Sequence, residues 1–437
     1  MTDLPSGWAQ ATVGEVADLT DGPFGSNLKT AHYTEAGPRV IRLQNIGDGV
    51  FRDEHAHVDQ ARYERLIKHA VRPGDIVAAS LGERAPRACL IPGWLGPAIV
   101  TADCIRVRAR DGIEPGYLMW MLNSPPVRAQ AASSIKGVGR PRLGLGGLKR
   151  LALPVPPERE QRRILAAVEE QLSRLAFGDA SLKRALRNVG RMRRSVLRSA
   201  FDHDWPTELL VKLTDPERPI CYGILKPKTT GDLVVPYVEV RSIRGGRIDH
   251  ESLHRTTQKL HEEFRRSELR AGDVVLAIRG SFDRAAVVPA DLEGANVSRD
   301  VARIAPTAGL EAAFLAYYLG GPQAYTYFAG AARGVGVRGV NIGDLRTMPV
   351  PVPPPSAQLR IVADVERSLS LIDSMGAEID AALRRSTALR RSILAEAFAG
   401  QLVSQDPADE PASILLERIT AARATVRAPS KPRKAHA

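Results

Sequence analysis

The stretch LPVPPEREQRRI at residues 153–164 returns 197 positions later as VPVPPPSAQLRI at residues 350–361. In both copies this proline-rich stretch comes before a long segment without proline, residues 158–201 in the first and 356–402 in the second. Proline lacks the N–H that a helix interior requires, so it ends one element and is tolerated at the start of the next helix. The stretch therefore predicts two long helices, each following a separately folded region.

The offset of 197 residues holds over most of the chain, which indicates a tandem duplication. The segment RRSVLRSAF at 193–201 matches RRSILAEAF at 390–398, and Trp8 matches Trp205. A repeat of this length has the size of a domain with a connector, and it is far longer than the unit of a solenoid. Two copies of one unit suggest a molecule that does one thing at two places.

Both proline-free segments carry an apolar seam with steps of three and four residues. A lone exposed helix of this length with such a seam is not stable in water. We therefore expect the two helices to pack on each other as an antiparallel coiled coil. The alternative, in which each helix folds back on its own domain, stays open. The seam is interrupted at Asp179 and Arg193 in the first copy and at Gly376, Ser386 and Arg390 in the second. Its residues are Ile164, Val168, Leu172, Leu175, Leu182, Leu186, Val189, Val196 and Ala200 in the first copy, and Ile361, Val365, Leu369, Ile372, Ile379, Leu383, Ile393 and Ala397 in the second.

The regions before the helices predict mixed strands and helices. Residues 75–79 and 104–108 are typical of strands, and residues 117–122 suit a short helix that stops before Pro125. The predicted fold class is α+β, with two mixed α/β domains separated by two long helices in an antiparallel coiled coil and an internal pseudo-twofold repeat. The predicted limits are 1–155 and 204–352 for the mixed domains, 156–203 and 353–402 for the helices, and 403–437 for an acidic and then basic tail.

The composition indicates a polyanionic partner. The 437 residues carry a formal net charge of +12. Nucleic acid is the first candidate for such a chain, and an acidic protein surface or a membrane surface is the second. The alternative is that the charge reflects only an arginine-rich proteome. The three cysteines give no disulfide framework, and no signal pattern or membrane-length apolar run is present, so we expect a cytoplasmic protein without membrane partners.

The sequence contains no constellation typical of catalysis. It lacks a phosphate-binding loop, a His-Glu-x-x-His motif and a nucleophile elbow. Residues 123–126 resemble the Pro-Pro loop of amino-methyltransferases, but Val127 replaces the aromatic that would stack on the target, and we interpret them as a helix stop. We therefore predict no catalytic, metal-binding or cofactor-binding residue. Two histidine pairs have no obvious third ligand and are expected at the surface: His55 with His57, and His250 with His254.

Basic and amide side chains in the loops of both mixed regions are candidates for DNA contacts. Arginine matches guanine edges, and Gln and Asn match adenine edges. The glycine clusters 137–147 and 334–336, with Arg and Lys nearby, could also cradle phosphate, although a plain flexible loop is the alternative. For each residue taken singly, a solvated surface position is the alternative. The candidates are Lys29, Arg42, Gln44, Asn45, Arg84, Arg87, Lys136, Arg140, Arg142, Lys226, Lys228, Arg241, Arg244, Arg279, Arg284, Arg299, Arg333 and Arg338.

With these features the chain resembles, over essentially its whole length, the specificity subunit of type I restriction–modification systems. The most specific part is the Pro-Pro-x-x-x-Gln-x-x-Ile start of each long helix, with Gln161 and Gln358 as the glutamines. The usual Glu before that Gln is present as Glu160, but Ala357 replaces it in the second copy. The openings GPFGS at 22–26 and YGILKP at 222–227, and the ending at 400–419, are also similar to the family.

The resemblance implies two target-recognition domains that each read one half of a split site in double-stranded DNA. It also implies that the helices bind two methyltransferase (M) subunits, which carry S-adenosylmethionine chemistry on adenine. A restriction (R) subunit, where one exists, adds ATP- and Mg-dependent translocation and cleavage. This chain would then hold no cofactor and be a non-catalytic subunit. Candidate partner-binding residues on the helices are Gln161, Arg187, Arg194, Gln358, Arg384 and Arg391.

Two other functions stay open at this stage. A stand-alone DNA methyltransferase predicts methyl transfer by the purified chain with S-adenosylmethionine alone, and the missing cofactor loop is unfavourable to it. A coiled-coil adaptor that does not bind DNA predicts no salt-dependent DNA binding, whereas a DNA reader predicts an affinity that falls steeply with salt.

Overall fold

The computed structural model of the chain describes residues 4–24, 27–82, 85–137, 139–226, 230–332 and 339–427. The glycine cluster 334–336 and residues 428–437 of the tail lie outside these ranges. Four predicted DNA contacts also lie outside them: Arg84, Lys228, Arg333 and Arg338.

The chain divides into two compact units, and each holds one mixed domain with a part of both long helices. The first unit comprises Met1–Ala180 with Leu383–Ala437, and the second comprises Ser181–Ala382. The domain limits inferred from the sequence follow the chain linearly and stay a prediction, because the compact units cut through both helices.

The first mixed domain and the first long helix contain β1 (Ala9–Thr12), α1 (Val13–Val16), β2 (Ala17–Asp21), β3 (Tyr33–Ile41), β4 (His57–Val58), α2 (Gln60–Arg65), β5 (Ala70–Val71), β6 (Ile76–Ala79), β7 (Arg87–Leu90), β8 (Ala98–Val100), β9 (Cys104–Ala109), α3 (Pro115–Asn123), α4 (Pro125–Ala132), α5 (Leu145–Lys149), β10 (Ala152–Val155) and α6 (Glu158–Ala200). The predicted strands at 75–79 and 104–108 and the predicted helix at 117–122 are thereby confirmed.

The rest of the chain contains β11 (Thr207–Leu209), β12 (Cys221–Tyr222), β13 (Leu233–Val238), β14 (Ile243–Arg244), β15 (Arg247–Ile248), β16 (His254–Thr257), α7 (Gln258–Glu263), β17 (Val274–Ala277), β18 (Ala285–Val287), β19 (Asn296–Val297), β20 (Val301–Ile304), α8 (Ala312–Leu319), α9 (Pro322–Ala331), α10 (Ile342–Arg346), β21 (Pro349–Pro351), α11 (Pro355–Phe398) and α12 (Ala412–Arg427).

The two mixed domains share their sheet topology. An antiparallel sheet has the order β2-β9-β6-β7 in the first domain and β12-β20-β17-β18 in the second. A mixed sheet has β3 between β4 and β8 in the first, and β13 between β16 and β19 in the second, with β3 parallel to β8 and β13 parallel to β19. The strand before each long helix pairs with the start of its domain, β10 with β1 and β21 with β11. The duplication read from the sequence is therefore also present in the strand pairing.

Within each unit the long helices run antiparallel. In the first unit, Val168 near the start of α6 shares a core with Ala397 near the end of α11. In the second unit, Leu197 near the end of α6 shares a core with Leu369 near the start of α11. The predicted antiparallel packing is therefore present within each unit.

Each helix also ends in the core of a mixed domain. The Phe398 ring at the end of α11 stacks edge-on at 5.4 Å from Tyr117 in the first unit. At the positions shifted by 197 residues, Phe201 lies 5.2 Å from Phe314 in the second unit. Each helix thus ends against the mixed domain that it does not follow, so these contacts do not support the alternative in which each helix folds back on its own domain.

A buried carboxylate at the same place in each domain pairs with an arginine from a different segment of the domain. Asp75 is 2% exposed and accepts two hydrogen bonds of 2.6 Å from Arg108 on β9. Asp273, its counterpart, is also 2% exposed and accepts two of 2.7 Å from Arg218, which precedes β12. An unpaired buried carboxylate is strongly destabilising, so each domain keeps an arginine partner for it. The two copies take that arginine from different positions in the chain.

Candidate nucleic-acid interface

A buried glutamine attaches each long helix to the domain before it. Gln161 Oε1 accepts a hydrogen bond of 2.8 Å from Glu114 N, and its Nε2 donates to Gly112 O at 3.3 Å and Pro156 O at 3.1 Å. The side chain is fully buried. The Pro-Pro-x-x-x-Gln motif is therefore a joint that sets the angle at which the helix leaves its domain.

The second copy repeats all three of these hydrogen bonds. Gln358 Oε1 accepts from Glu311 N at 2.8 Å, and its Nε2 donates to Gly309 O at 3.1 Å and Pro353 O at 2.9 Å. These contacts correct the prediction that Gln161 and Gln358 bind a partner. Both side chains are buried and use their donors and acceptors within the chain, so they cannot reach another subunit.

The residue before that glutamine differs between the copies, and the difference has a structural consequence. Glu160 Oε1 accepts a hydrogen bond of 3.0 Å from Trp8 Nε1. In the second copy Ala357 cannot accept one, and the buried Nε1 of Trp205 has no hydrogen-bond partner among the described residues. The polar contact that Glu160 makes with Trp8 is thus absent at this position of the second copy.

An open groove in the first unit, here called the N-terminal groove, collects three of the predicted DNA contacts. They are Arg42, Gln44 and Arg140, and the groove has a volume of about 590 Å³. The 3₁₀ turn Leu43–Asn45 after β3 forms one side of it. The other residues that line it are Pro23, Leu28, Thr30, Tyr33, Leu43, Thr101, Ala102 and Asp103.

A groove of about 490 Å³ in the second unit, here called the C-terminal groove, is formed at the same position of the repeat. It brings together Lys226, Arg241 and Arg299 from the predicted set. Its remaining lining residues are Ile224, Leu225, Glu239, Val240, Ser298 and Asp300. Shifting seven residues of the N-terminal groove by 197 gives seven of the C-terminal groove: Leu28 to Leu225, Arg42 to Glu239, Leu43 to Val240, Gln44 to Arg241, Thr101 to Ser298, Ala102 to Arg299, and Asp103 to Asp300.

Each groove has an aspartate at the same position of the repeat, and this aspartate contacts two arginines. In the N-terminal groove, Arg140 Nη2 lies 2.8 Å from Asp103 Oδ2, and Arg142 Nη1 lies 3.6 Å from Asp103 Oδ1. The guanidinium carbon of Arg142 also lies 5.0 Å from the centre of the Phe24 ring. A guanidinium has five N–H donors, and one carboxylate engages at most two, so these arginines keep donors for a partner.

In the C-terminal groove, the matching aspartate contacts arginines from other segments of the domain. Asp300 Oδ1 lies 3.5 Å from Arg279 Nε and 3.6 Å from Arg299 Nε. Position 102, the counterpart of Arg299, is an alanine. The aspartate is thus kept in both domains, while the arginines that contact it come from different positions in the chain.

One predicted base contact is buried instead. Asn45 is fully buried, its Oδ1 accepts from Arg42 N at 2.8 Å, and its Nδ2 donates to Arg52 O at 2.9 Å and Glu54 O at 2.8 Å. Its amide closes the turn beneath the N-terminal groove. This corrects the prediction that Asn45 contacts DNA, because no polar atom of its side chain is left to face a base. Ser242 occupies the matching position and is also buried.

The other predicted DNA contacts lie around the grooves or behind them. Lys29 and Lys136 are exposed in the first unit, where Arg87 is half-buried on β7. In the second unit Arg244 is exposed, and Arg284 Nη1 donates to the carbonyl of Val240, which lines the C-terminal groove. Their DNA contacts stay predictions, as do partner contacts of four exposed arginines on the long helices: Arg187, Arg194, Arg384 and Arg391.

Sequence reasoning did not select Asp103 and Asp300 as site residues. They match at the offset of 197, and that repetition was the available signal. Tyr33, which also lines the N-terminal groove, was missed too, since a single tyrosine in a strand gives no signal. Burial raises the pKa of Tyr33 above its ordinary value, so its phenol is neutral at physiological pH.

Side chains that suggested other chemistry make contacts within the chain where they are described. Asn123 of the Pro-Pro segment is buried, and its amide bonds the backbone N and O of Ala88 at 3.0 and 2.8 Å. His55 and His57 contact each other edge-on, and no group of three or more potential metal ligands occurs among the described residues. Within the described ranges, no helix is both long and apolar enough to cross a membrane.

Comparison with solved structures defines the class of fold. The chain is similar to one in a structure on complex assembly and conformational transition of the type I R-M system, with a TM-score of 0.72, 20% identity, and coverage of 92% of this chain and 100% of that one. It is also similar to the HsdS subunit from Thermoanaerobacter tengcongensis, with a TM-score of 0.52, 21% identity, and coverage of 91% and 98%. The predicted α+β fold is thereby confirmed.

Curated relatives point to the same class of protein. The chain is 26% identical to the type I restriction enzyme EcoBI specificity subunit of Escherichia coli, over 97% of this chain and 94% of that protein. It is 24% identical to the EcoKI specificity subunit of Escherichia coli strain K12, over 96% of each. No protein-family model matches. The resemblance inferred from the sequence is confirmed: the chain is a homologue of type I restriction enzyme specificity subunits.

Proposed function

We propose that this chain is the specificity subunit of a type I restriction–modification complex and reads a split site in double-stranded DNA. One observation carries the proposal. The N-terminal and C-terminal grooves lie at matching positions of a duplicated domain, keep the same carboxylate, and differ in the side chains that reach solvent. Two copies of one frame with different polar side chains are what two different half-sites require.

The chemistry of the grooves fits base edges and phosphates. Gln44 in one groove is replaced by Arg241 in the other, and these side chains prefer adenine and guanine edges respectively. Arg42 is replaced by Glu239, whose carboxylate can accept a hydrogen bond from the amino group of cytosine. The same carboxylate cannot bind a phosphate, which has no donor to offer. The exposed arginines and lysines around both grooves supply the salt-dependent affinity for the backbone.

The partners follow from the family. The two long helices expose arginines along faces that the mixed domains do not cover, and we assign to these faces the binding of two methyltransferase subunits. Those subunits would supply S-adenosylmethionine chemistry, and a restriction subunit, where present, would supply ATP- and Mg-dependent cleavage. This chain would contribute recognition and assembly without catalysis. Its three free thiols support a reducing, cytoplasmic location.

Salt-dependent binding tests the DNA-reading function. The chain assembled with its methyltransferase partner should bind the DNA site that the complex methylates. The logarithm of its binding constant should fall linearly with the logarithm of the salt concentration. Arg279→Ala should weaken that binding and reduce the slope by about one. Arg265→Ala is the matched control, because Arg265 is 80% exposed in the same unit, pairs only with Glu268 in the ion pairs described, and is not a groove residue.

Two outcomes would contradict the proposal. Affinity that does not change with salt would favour the adaptor that does not bind DNA. Methyl transfer to DNA by the purified chain with S-adenosylmethionine alone would favour the stand-alone methyltransferase.

A further inference from the structure

A tight hairpin turn connects the C-terminal groove to the long helices of the second unit. The turn joins β14 to β15 through Gly245 and Gly246, whose φ angles are +59° and +82°. Left-handed backbone at two successive positions favours glycine. The hairpin can therefore bring its main chain close to a neighbouring side chain.

Arg193 of α6 occupies that place. Its Nη2 donates to the carbonyl oxygen of Gly245 at 2.6 Å, and its Nη1 lies 2.9 Å from Asp373 Oδ1 on α11. One guanidinium thus holds both helices and the hairpin together. In the sequence the same residue is a break in the apolar seam of α6.

The first unit solves the same position differently. Gly49 and Trp120 match Gly246 and Tyr317 at the offset of 197. A Cβ added to Gly49 would lie 2.1 Å from Trp120 Cη2, so the indole fills the space beneath that turn. At Gly246 the nearest atoms are Arg193 Nη2 at 3.7 Å and Tyr317 Cε1 at 3.8 Å.

The smaller ring in the second unit leaves room for the arginine. Cavities of about 630 and 380 Å³ are both lined by Arg193, Gly245, Gly246 and Tyr317. In the second unit the hairpin is therefore held by the hydrogen bond from Arg193, with cavities beside it. In the first unit the indole of Trp120 packs against the matching turn. A hairpin held in this way depends on one side chain far more than a packed hairpin does.

The hairpin continues directly into the C-terminal groove. Arg244 on β14 donates from Nε to Arg241 O at 3.0 Å. Arg241 Nε in turn lies 2.9 Å from Glu239 Oε2, and both of these residues line the groove. Hydrogen bonds and an ion pair thus connect the hairpin to Glu239 and Arg241, two groove residues that differ from their counterparts Arg42 and Gln44.

We propose that Arg193 is a positioning residue for DNA recognition by the second domain. It fixes the 239–248 segment against the helix pair, so the accuracy with which the C-terminal groove reads its half-site depends on a residue of the spacer helix. The first domain does not share the device, because Trp120 replaces it. This inference rests on the proposed function and adds to it a coupling between helix and half-site on one side only.

The test measures half-site discrimination by the whole complex with its methyltransferase partner. The half read by the second domain is the one whose base preference changes in Arg241→Ala. Arg193→Ala should reduce discrimination at that half by about tenfold, the scale of a lost charge-assisted hydrogen bond, and leave the other half unchanged. Arg193→Lys should recover part of the loss, because one ammonium can reach one of the two acceptors.

Two controls separate positioning from general damage. Arg191→Ala removes the same charge from the same helix, and its side chain bonds Asn188 within that helix. Arg390→Ala removes the counterpart of Arg193 in the first unit. Neither should lower discrimination at the second half, and the melting temperature of Arg193→Ala should stay close to that of the parent. An equal loss at both halves, or no loss, would overturn the inference. A parent complex that recognises no split site would instead overturn the proposed function.

Discussion

At the residue scale, the glutamine at the start of each long helix has the best-defined role. In both copies it bonds one backbone N–H and two backbone carbonyls of the preceding domain at matching positions. Its motif was recognisable in the sequence, but its role was not. A polar residue at a helix start can face solvent, a partner or its own domain, and sequence spacing alone does not distinguish these. The same limit applies to Asn45, which supports the groove from below.

Replacing this glutamine should destabilise the protein. Gln161→Ala and Gln358→Ala each leave buried backbone groups without a partner, at a cost of about 2–3 kcal/mol in the free energy of unfolding. Urea unfolding monitored by circular dichroism measures it. Gln60→Ala is the control, because the Gln60 Nε2 donates to Glu64 Oε1 at 2.9 Å on an exposed helix, and it should change stability little. A loss of unfolding free energy no larger than that of Gln60→Ala would contradict the role of this glutamine in attaching the helix to its domain.

Glu160 gives a pH dependence with a definite sign. Burial raises the pKa of its carboxyl above the ordinary value, although the Trp8 N–H and the Arg163 charge oppose this. The folded state therefore binds the proton more tightly than the unfolded state, and its stability falls as the pH rises from the ordinary pKa of glutamate through the raised one. Glu160→Gln keeps an acceptor for Trp8 and removes the charge.

The stability of Glu160→Gln relative to the parent should accordingly increase as the pH rises from the ordinary pKa of glutamate through the raised one. Unfolding by denaturant at several pH values checks this, and the parent measured beside it cancels all other titrating groups. A difference in stability that is constant across this range would show that Glu160 does not titrate with a raised pKa.

The cysteines predict a simple pattern of chemical reactivity. Burial raises the pKa of Cys89 to about 12 and that of Cys104 to about 12, so neither forms the reactive thiolate at neutral pH. Cys221 is half-buried. Titration of the native protein with a thiol reagent should modify Cys221 alone, and all three should react after unfolding. Modification of Cys89 or Cys104 in the native protein would contradict the packing of the first domain.

At the element scale, the helices were the most predictable part of the chain. The apolar seam of 3–4 spacing and the proline stops located α6 and α11 to within a few residues. The short strands around the grooves were harder, because elements of two to four residues have too little periodicity to identify. The buried pair of Asp75 and Arg108 was not predictable either, since the duplicate Asp273 takes its cation from Arg218 on another segment.

The length of the helix pair should set the gap between the two half-sites. The contact of Arg193 with Asp373 fixes the antiparallel register in the second unit, so deleting 183–189 together with 376–382 removes one heptad from each helix in register. Each helix shortens by about 10 Å. Mapping of modified sites should then show a gap shorter by about three base pairs. An unchanged gap would refute a spacer role of the helices.

At the scale of the whole molecule, duplication has produced two domains with equal frames and unequal contents. The sequence showed the repeat, and the sheet topology agrees with it. It did not show that Leu28, Leu43, Thr101 and Asp103 form one groove with a counterpart in the other domain. Those residues are far apart along the chain, and only strand pairing brings them together. Nor could it show that Trp120 and Arg193 are alternative supports for one hairpin.

The most direct test of two matched reading grooves is to map the sites methylated by this chain with its methyltransferase partner, using the parent, Gln44→Ala and Arg241→Ala. Gln44 and Arg241 are both exposed and occupy the same position of the repeat. We expect the parent to modify a site of two parts separated by a fixed gap. Each variant should relax base preference in one part only, and the two variants in different parts. Relaxation of the same part by both variants, or modification of a continuous site, would contradict the account.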